Sequence, residues 1–284
     1  MKKILTAALF ISIFCVTVDA QPTLFIGNDT TICGNGLTLN ATTTNFSATT
    51  TYVNQLIPFA PVAPGGTAIT LSDDQWSQAI NIGFNFCFYG NTYTQCLIGS
   101  NGVITFNLSG ASTTPGGYCQ WPISYAIPSP NLPTPSIMIS FQDLYASMGG
   151  TIKHQVYGQS PHRRFVVSFD SVAYFSCTSQ FFTGQMILYE ENSNIEIHIH
   201  NKSICSSWNG GAAILGIQDS AGTNAYWAPN HNYPTLWSDT DVAYLFHPDS
   251  VYAPNQTNMN RISGKIFIDF NHFSAFGLLD GCKV

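Results

Sequence analysis

The chain contains a strictly alternating stretch, Ile195-Glu-Ile-His-Ile-His200, in which every second residue is isoleucine. A period of two is typical of a β-strand that turns one apolar face to a core and one polar face outward. The stretch before it, Gln185-Met-Ile-Leu-Tyr189, is more apolar and fits a neighbouring strand nearer the centre of the same sheet. These two strands predict a fold built from β-sheet.

Turn signals separate similar stretches along much of the chain. Ser100-Asn-Gly-Val103 predicts a hairpin, because Asn-Gly supplies the positive φ angles of a type I′ turn. Strands without helical periods between them predict an all-β chain, folded as an antiparallel β-sandwich of the jelly-roll or immunoglobulin-like kind. We predict strands near residues 80–89, 94–99, 103–108, 135–142, 151–157, 164–175, 182–189, 194–200, 211–218 and 242–247.

Composition and the N-terminus indicate an exported protein. Only 8% of residues are charged, and the sole basic pair after the N-terminus is Arg163-Arg164, so nucleic-acid binding is excluded. Residues 1–20 form a predicted signal peptide, with Lys2-Lys3, an apolar run and cleavage after Ala20. The apolar run is shorter than the roughly 20 residues that span a bilayer. We therefore expect a secreted or cell-surface protein without a transmembrane segment.

Changes in composition also predict the domain organisation. Residues 21–66 read as an extended lead-in strand and a loop rich in Pro and Gly, and residues 67–250 as the β-sandwich. Residues 251–284 read as a linker and the truncated start of a second β-domain.

Seven cysteines remain once Cys15 is removed with the signal peptide, and export favours disulfide bonds. Cys87 and Cys96 flank a reversal at Gly90-Asn91, so we predict a disulfide bond across that hairpin. Cys177 and Cys205 follow strands that should end at the same edge of the sheet, and we predict that they pair.

The other three cysteines give a weaker inference. After the two predicted bonds, Cys33 and Cys119 form the remaining pair, which leaves Cys282 free.

Three residues on the alternating strand, Glu196, His198 and His200, are candidate ligands for zinc or copper. They share one strand face at spacings of two. The favoured interpretation is a solvated sheet face, because alternation places such residues side by side by default and no fourth ligand stands out.

Clustered carboxylates at Asp73-Asp74 and Asp239-x-Asp241 are candidate calcium ligands. Both pairs lie in turn-like sequence, where aspartate is common because it hydrogen-bonds its own backbone. Asp269-Phe-Asn271 begins like a calcium loop but lacks the regular acidic spacing and the closing glutamate. The favoured interpretation is turn structure, with no resident cofactor.

No sequence motif for catalysis is present: there is neither Gly-x-Ser-x-Gly nor His-Glu-x-x-His. We therefore predict no catalytic residues and no enzyme activity. The tryptophans fall near loops or strand ends, where they either cap the core or stack on sugars. They are Trp76, Trp121, Trp208, Trp227 and Trp237.

Several stretches resemble the β-sandwich module near the N-terminus of gliding-motility-associated, type IX-secreted surface adhesins of gliding bacteria. They are Asp73 to Tyr93 with Ile98 to Phe106, Arg164 to Phe169, Gln185 to Glu190, Leu215 to Asp219 and Gly27 to Gly34. Arg261 to Asn271 resembles the opening of a prealbumin-like or Cna-B-like repeat.

This resemblance implies surface display and cell adhesion, with surface glycans or other surface proteins as partners. Two hypotheses follow from the sequence. The first is a non-catalytic adhesive or structural module, and the second is a carbohydrate-binding or glycoside-hydrolysing β-sandwich.

Overall fold

The computed structural model describes residues 50–111 and 117–249, together with the backbone of four short strands outside these ranges. The chain divides into two compact units, residues 1–46 and 47–284. In the first unit, β1 (Thr23–Phe25) pairs antiparallel with β2 (Thr42–Thr44). Within the described residues no helix has the length and apolar character needed to cross a membrane.

Residues 52–248 form two antiparallel sheets that pack face to face, which confirms the predicted β-sandwich. In chain order the strands are β3 (Tyr52–Ile57), β4 (Thr67–Ile69), β5 (Ile80–Phe88), β6 (Asn91–Gly99), β7 (Val103–Thr105), β8 (Ser136–Phe141), β9 (Thr151–Tyr157), β10 (Arg164–Ala173), β11 (Phe181–Tyr189), β12 (Ile195–Lys202), β13 (Ile214–Gln218), β14 (Ala225–Trp227) and β15 (Asp239–Pro248). The seven-stranded sheet has the order β3-β15-β12-β11-β10-β9-β4, and the six-stranded sheet has the order β14-β13-β8-β7-β6-β5. Two single 3₁₀ turns, Leu108–Gly110 and Asn209–Gly211, complete the regular structure of this range.

The alternating strand behaves as its sequence predicts. Ile195, Ile197 and Ile199 on β12 are fully buried in the core between the sheets. Opposing residues from the six-stranded sheet, such as Ile137 and Ile139 on β8, belong to the same core. Burying one apolar side chain of this size contributes roughly 1.5–3 kcal/mol, so this face fixes the register of the strand.

Both predicted hairpins form, but their turn types differ from the prediction. Gly99 pairs with Val103, so the Asn101-Gly102 hairpin has a three-residue loop in which only Gly102 has positive φ. The two-residue turn lies at Tyr89-Gly90, where both residues have positive φ. The type I′ turn therefore lies at Tyr89-Gly90 and not at Asn101-Gly102, where the sequence predicted it.

Each sheet also has a segment that crosses its outer face. Residues 58–66, here called the strap, connect β3 at one edge of the seven-stranded sheet to β4 at the other. Residues 117–135, here called the cover segment, supply Ile123, Ile127 and Leu132 to an apolar cluster outside the six-stranded sheet. The predicted proline-rich loop is thus the strap.

Beyond the sandwich, β16 (Ile266–Asp269) pairs antiparallel with β17 (Ser274–Gly277). The proposed second β-domain at 251–284 and the domain boundaries stay predictions. The signal peptide at 1–20 lies outside the described residues, as do Cys33, Cys282 and Asn271.

Candidate functional site

Three carboxylates meet at one end of the sandwich. Asp73 and Asp74 lie in the turn between β4 and β5, and Asp143 follows the end of β8. One oxygen from each side chain can be chosen so that all three lie within 4.8 Å of one another. Among the described residues this is the one place where three metal-ligating side chains converge, and we call it the acidic cluster.

Asn101, in the β6–β7 hairpin loop, connects the parts of the chain that supply these carboxylates. Its side-chain amide donates to Asp74 Oδ1 at 2.8 Å and to the Cys119 carbonyl at 3.0 Å. Its Oδ1 accepts the backbone N–H of Leu144 at 3.0 Å, next to Asp143. Since Asn101 is fully buried, these bonds hold the two acidic segments together in a dry environment.

A tryptophan held close to a disulfide bond orients Asp143. Trp208 Nε1 donates to Asp143 Oδ2 at 2.6 Å, and the Trp208 backbone N–H bonds the Cys205 carbonyl at 3.2 Å. Cys205 is bonded to Cys177, and the Phe175 N–H donates to the Asp143 carbonyl at 3.2 Å. The disulfide-linked segments therefore contact Asp143 from two directions.

The electrostatics of the acidic cluster are unfavourable for three negative charges. The pKa of Asp143 is raised to about 7, chiefly by burial and to a smaller extent by the charges of Asp74 and Asp73, while the Trp208 hydrogen bond lowers it. Burial also raises the pKa of Asp73 and Asp74. Two like charges 4 Å apart repel by about 4 kcal/mol at an effective dielectric constant of about 20.

Two oxygens of the acidic cluster are left without partners. Asp143 is 7% exposed, and its Oδ1 has no hydrogen-bond partner among the described residues; the same holds for the buried Oδ1 of Asp73. None of the ion pairs formed within those residues involves any of the three aspartates. A buried carboxylate oxygen without a donor is costly, so the arrangement calls for a proton or a cation.

The predicted zinc or copper ligands do not converge on one point. His198 Nε2 lies 2.9 Å from Glu196 Oε2, whereas His200 Nδ1 lies 2.6 Å from Asp241 Oδ1. His200 is exposed as predicted, but His198 is 1% exposed, because Phe59 of the strap packs over this part of the face. The interpretation as a solvated face was therefore wrong for His198.

The second predicted calcium pair is also divided. Asp239 Oδ2 lies 2.7 Å from His231 Nε2, and Asp241 binds exposed His200. The side chains of Asp269 and Asn271 lie outside the described residues.

The structure confirms one of the predicted disulfide bonds. Cys177 and Cys205 are bonded, with their Cα atoms 5.9 Å apart. The Cys87–Cys96 prediction was wrong: Cys87 is disulfide-bonded, but Cys96 is a free, buried thiol. Cys87 pairs in register with Thr92, and Cys96 lies four residues further on, about 13 Å along the strand, beyond disulfide reach.

Cys119 is likewise a free, buried thiol, which contradicts the predicted Cys33–Cys119 bond. It lies inside the apolar cluster outside the six-stranded sheet, with Trp76. A Cβ atom on Gly99 would approach Cys119 Sγ to 2.5 Å, so only glycine fits beside this thiol. No local sequence pattern predicts this tight packing.

The tryptophans divide into core and end-of-sheet positions. Trp76 and Trp237 are buried, and Trp227 at the sheet edge is 38% exposed. Trp121 and Trp208 are half-buried and pack on each other, with ring centroids 5.3 Å apart, beside the acidic cluster. Two clefts in the described ranges, of about 310 and 430 Å³, are lined by other residues and not by the acidic cluster.

A disulfide-bonded β-sandwich with few charges and covered outer faces is typical of extracellular modules. The NIDO-related family model matches residues 35–258, so the chain belongs to the NIDO-related family. NIDO is an extracellular adhesive module, which supports the expected compartment and class of function. No curated protein and no solved structure matches the chain.

Sequence reasoning found two members of the acidic cluster and missed the third. Asp143 follows a fully buried strand and is separated from Asp74 by about 70 residues, so no local spacing announces it. The available signal is Asn101, whose position before Gly102 predicts only a turn former. A buried asparagine in a hairpin at the end of a sheet can also connect neighbouring loops.

Proposed function

We propose that this protein is a non-catalytic adhesive or structural module that is exported and displayed at a cell surface. The observation that carries the proposal is the match of the NIDO-related family over residues 35–258. The finer assignment, a surface adhesin of the kind found in gliding bacteria, is supported by the resemblance of Asp73 to Phe106 and of Leu215 to Asp219. Surface glycans or other surface proteins are the proposed partners.

The character of the surface supports many weak contacts rather than one deep site. Two clefts in the described ranges are open to solvent, and one of them is lined by charged residues such as Arg163 and Glu191. The large exposed side chains are scattered, among them Tyr118, Tyr125 and Leu236. We expect one module to bind with Kd near 1 mM, about −4 kcal/mol, and multivalent display to raise avidity by 10²–10⁴.

The test compares one copy with several copies of the same chain. The purified chain, biotinylated at its terminus, is applied to glycan arrays and to intact cells, first as a monomer and then on tetrameric streptavidin. The expected result is negligible retention of the monomer and at least hundred-fold stronger retention of the tetramer. Equal retention of both forms, or none of either, would contradict the proposal.

Export has its own test. N-terminal sequencing of the protein recovered outside the producing cells should begin at Gln21, after cleavage behind Ala20. A mature protein that retains Met1 would contradict the predicted signal peptide without affecting the adhesive assignment.

A second candidate function, carbohydrate binding or glycoside hydrolysis, is favoured by one specific observation. Trp121 and Trp208 pack together, with their rings tilted by 36°, beside Asp143, whose pKa of about 7 suits a general acid. Against it, Asp143 is 7% exposed and lines neither described cleft, so a sugar ring has little access. Polysaccharide turnover that is abolished by Asp143→Asn in a folded protein would establish this alternative and defeat the non-catalytic proposal.

A further inference from the structure

We propose that the acidic cluster of Asp73, Asp74 and Asp143 is a calcium site that joins the loops at one end of the sandwich. Three carboxylates within 4.8 Å offer the hard oxygen ligands that calcium prefers. Oxygens on opposite sides of a calcium ion are about 4.8 Å apart, at bond lengths of about 2.4 Å. The proposal does not depend on the adhesive function.

The second line of evidence is the pair of orphaned oxygens. Asp143 is more than nine-tenths buried, its Oδ2 accepts from Trp208 Nε1, and its buried Oδ1 has no donor among the described residues. The buried Asp73 Oδ1 is in the same condition. Within those residues no lysine or arginine forms an ion pair with the cluster, and one bound cation would satisfy both oxygens without protonating either carboxylate.

The chemistry of the donors selects among cations. The acidic cluster contains no imidazole and no thiolate, which disfavours zinc and copper. Magnesium requires near-octahedral oxygens at about 2.0–2.1 Å and gives up its water reluctantly, so it is seldom held mainly by protein carboxylates. Three protein carboxylates completed by water fit the flexible geometry of calcium, and extracellular calcium modules of this kind have Kd of about 10⁻⁴–10⁻³ M.

Binding would act on several loops at once. Asp73 and Asp74 belong to the turn before β5, Asp143 follows β8, and Trp208 connects Asp143 to the Cys177–Cys205 disulfide bond. Neutralising the three charges removes their repulsion and fixes these segments relative to one another. The end of the sandwich that carries Trp121 and Tyr118 becomes more rigid when calcium is bound.

The experiment titrates calcium chloride into the full, chelator-treated chain and follows isothermal titration heat, melting temperature and terbium luminescence excited through tryptophan. The wild type should bind one calcium per chain and melt several degrees higher in 5 mM calcium than in chelator. Trp208 should sensitise terbium, because it is hydrogen-bonded to a ligand. The same titration with magnesium should give at least ten-fold weaker binding.

Asp143→Asn keeps the shape of the side chain and can still accept the Trp208 hydrogen bond. We expect it to abolish the calcium response and to melt higher than the wild type in chelator, because one repelling charge is gone. Asp73→Asn should weaken binding at least ten-fold and serves if Asp143→Asn fails to fold. Asp241→Asn, at an exposed aspartate that pairs with His200, is the matched control and should behave as the wild type.

Three results would overturn the proposal. They are a wild type without calcium-dependent heat or melting shift, a calcium response that survives in both Asp143→Asn and Asp73→Asn, and magnesium binding as tight as calcium binding.

Discussion

The strap and the cover segment each cross the outer face of one sheet, on opposite sides of the sandwich, but different contacts hold them in place. The cover segment buries Ile123, Ile127 and Leu132 in an apolar cluster, where each is at most 3% exposed. The strap turns only Phe59, Val62 and Gly65 toward its sheet, and all three stay half-exposed. The outer face of the six-stranded sheet is therefore a second apolar core. The outer face of the seven-stranded sheet is polar and only partly covered by the strap.

Both segments nevertheless rely on the same hydrogen-bonding device. A chain that crosses a sheet face cannot join the strand ladder, so its buried N–H and C=O groups need other partners. Gln185 on β11 accepts from the Val62 N–H at 2.9 Å and donates to the Val62 carbonyl at 2.6 Å. Asn232 does the same for Ile127, at 3.0 and 2.7 Å.

We call such a side-chain amide, bonded to both the N–H and the C=O of a crossing segment, an amide clamp. The clamps explain how both crossing segments satisfy their backbone groups, which apolar burial alone cannot do. An Asn or Gln side chain carries one acceptor and two donors, so it can satisfy the N–H and the C=O of one crossing residue. Gln218 provides a third example, bonding Ser129 and Pro133 of the cover segment. The difference between the two faces therefore lies in the apolar contacts and not in the clamps.

The largest expected effect comes from truncating the apolar anchor of the cover segment. Ile127→Ala should lower the free energy of unfolding by about 3 kcal/mol, because it leaves a cavity in a closed cluster. Urea denaturation followed by tryptophan fluorescence measures the change.

Val62→Ala on the strap is the matched truncation. It should cost about 1 kcal/mol or less, because Val62 is half-exposed and water can refill the space. Equal losses for the two variants would show that the strap is packed as tightly as the cover segment.

Removing the clamp of the strap should have an effect on stability between those of Ile127→Ala and Val62→Ala. Gln185→Ala leaves the Val62 backbone groups and Ser168 without their partner and should cost about 2 kcal/mol. It should also release the strap locally, so that chymotrypsin cuts after Phe59 faster than in the wild type.

Chymotrypsin digestion, with sequencing of the fragment that begins at Ala60, checks that release. Gln95→Ala, at an exposed glutamine on β6, is the control and should digest like the wild type. If Gln185→Ala loses stability without faster cleavage at Phe59, the clamp contributes to the sheet and not to the strap.

The sequence predicted the sandwich well because its signals are local. Period-two alternation and Gly- or Asn-containing turns placed all ten of the predicted strands, including β12 and the β5–β6 and β6–β7 hairpins. The strands that it missed are short or flank the proline-rich strap: Tyr52–Ile57, Thr67–Ile69 and Ala225–Trp227. They form edges of the sheets. The pairing of an edge strand depends on packing against its neighbouring strand more than on alternation in its own sequence.

The site could be predicted only in part, because its members come from distant segments. Asp73-Asp74 was visible as a carboxylate pair, but Asp143 joins it only through the sheet order that brings the β8 end beside the β6–β7 hairpin. The Cys87–Cys96 error came from relying on closeness in sequence without the register: the turn at Tyr89-Gly90 pairs Cys87 with Thr92, and even a turn at Gly90-Asn91 would pair it with Thr94. Similarly, the burial of His198 depends on the strap, whose path across the sheet no local pattern encodes.

The smallest expected effect is electrostatic and concerns the polar face beneath the strap. Burial raises the pKa of Glu196, but hydrogen bonds with His198 and Tyr189 outweigh it and hold the pKa below the usual value. A carboxylate with a depressed folded-state pKa stabilises the protein above its unfolded pKa, near 4.5, and this contribution is lost as the pH falls through the folded value. The free energy of unfolding of the wild type should therefore decline between pH 5 and pH 3 more steeply than that of Glu196→Gln, which keeps the shape and the hydrogen bond to His198.

Glu191→Gln, at an exposed glutamate paired with His162, should follow the wild type, because a solvated ion pair contributes little. Urea titrations at pH 5, 4 and 3 measure the three slopes, and parallel slopes for the wild type and Glu196→Gln would show that this face adds nothing to acid sensitivity.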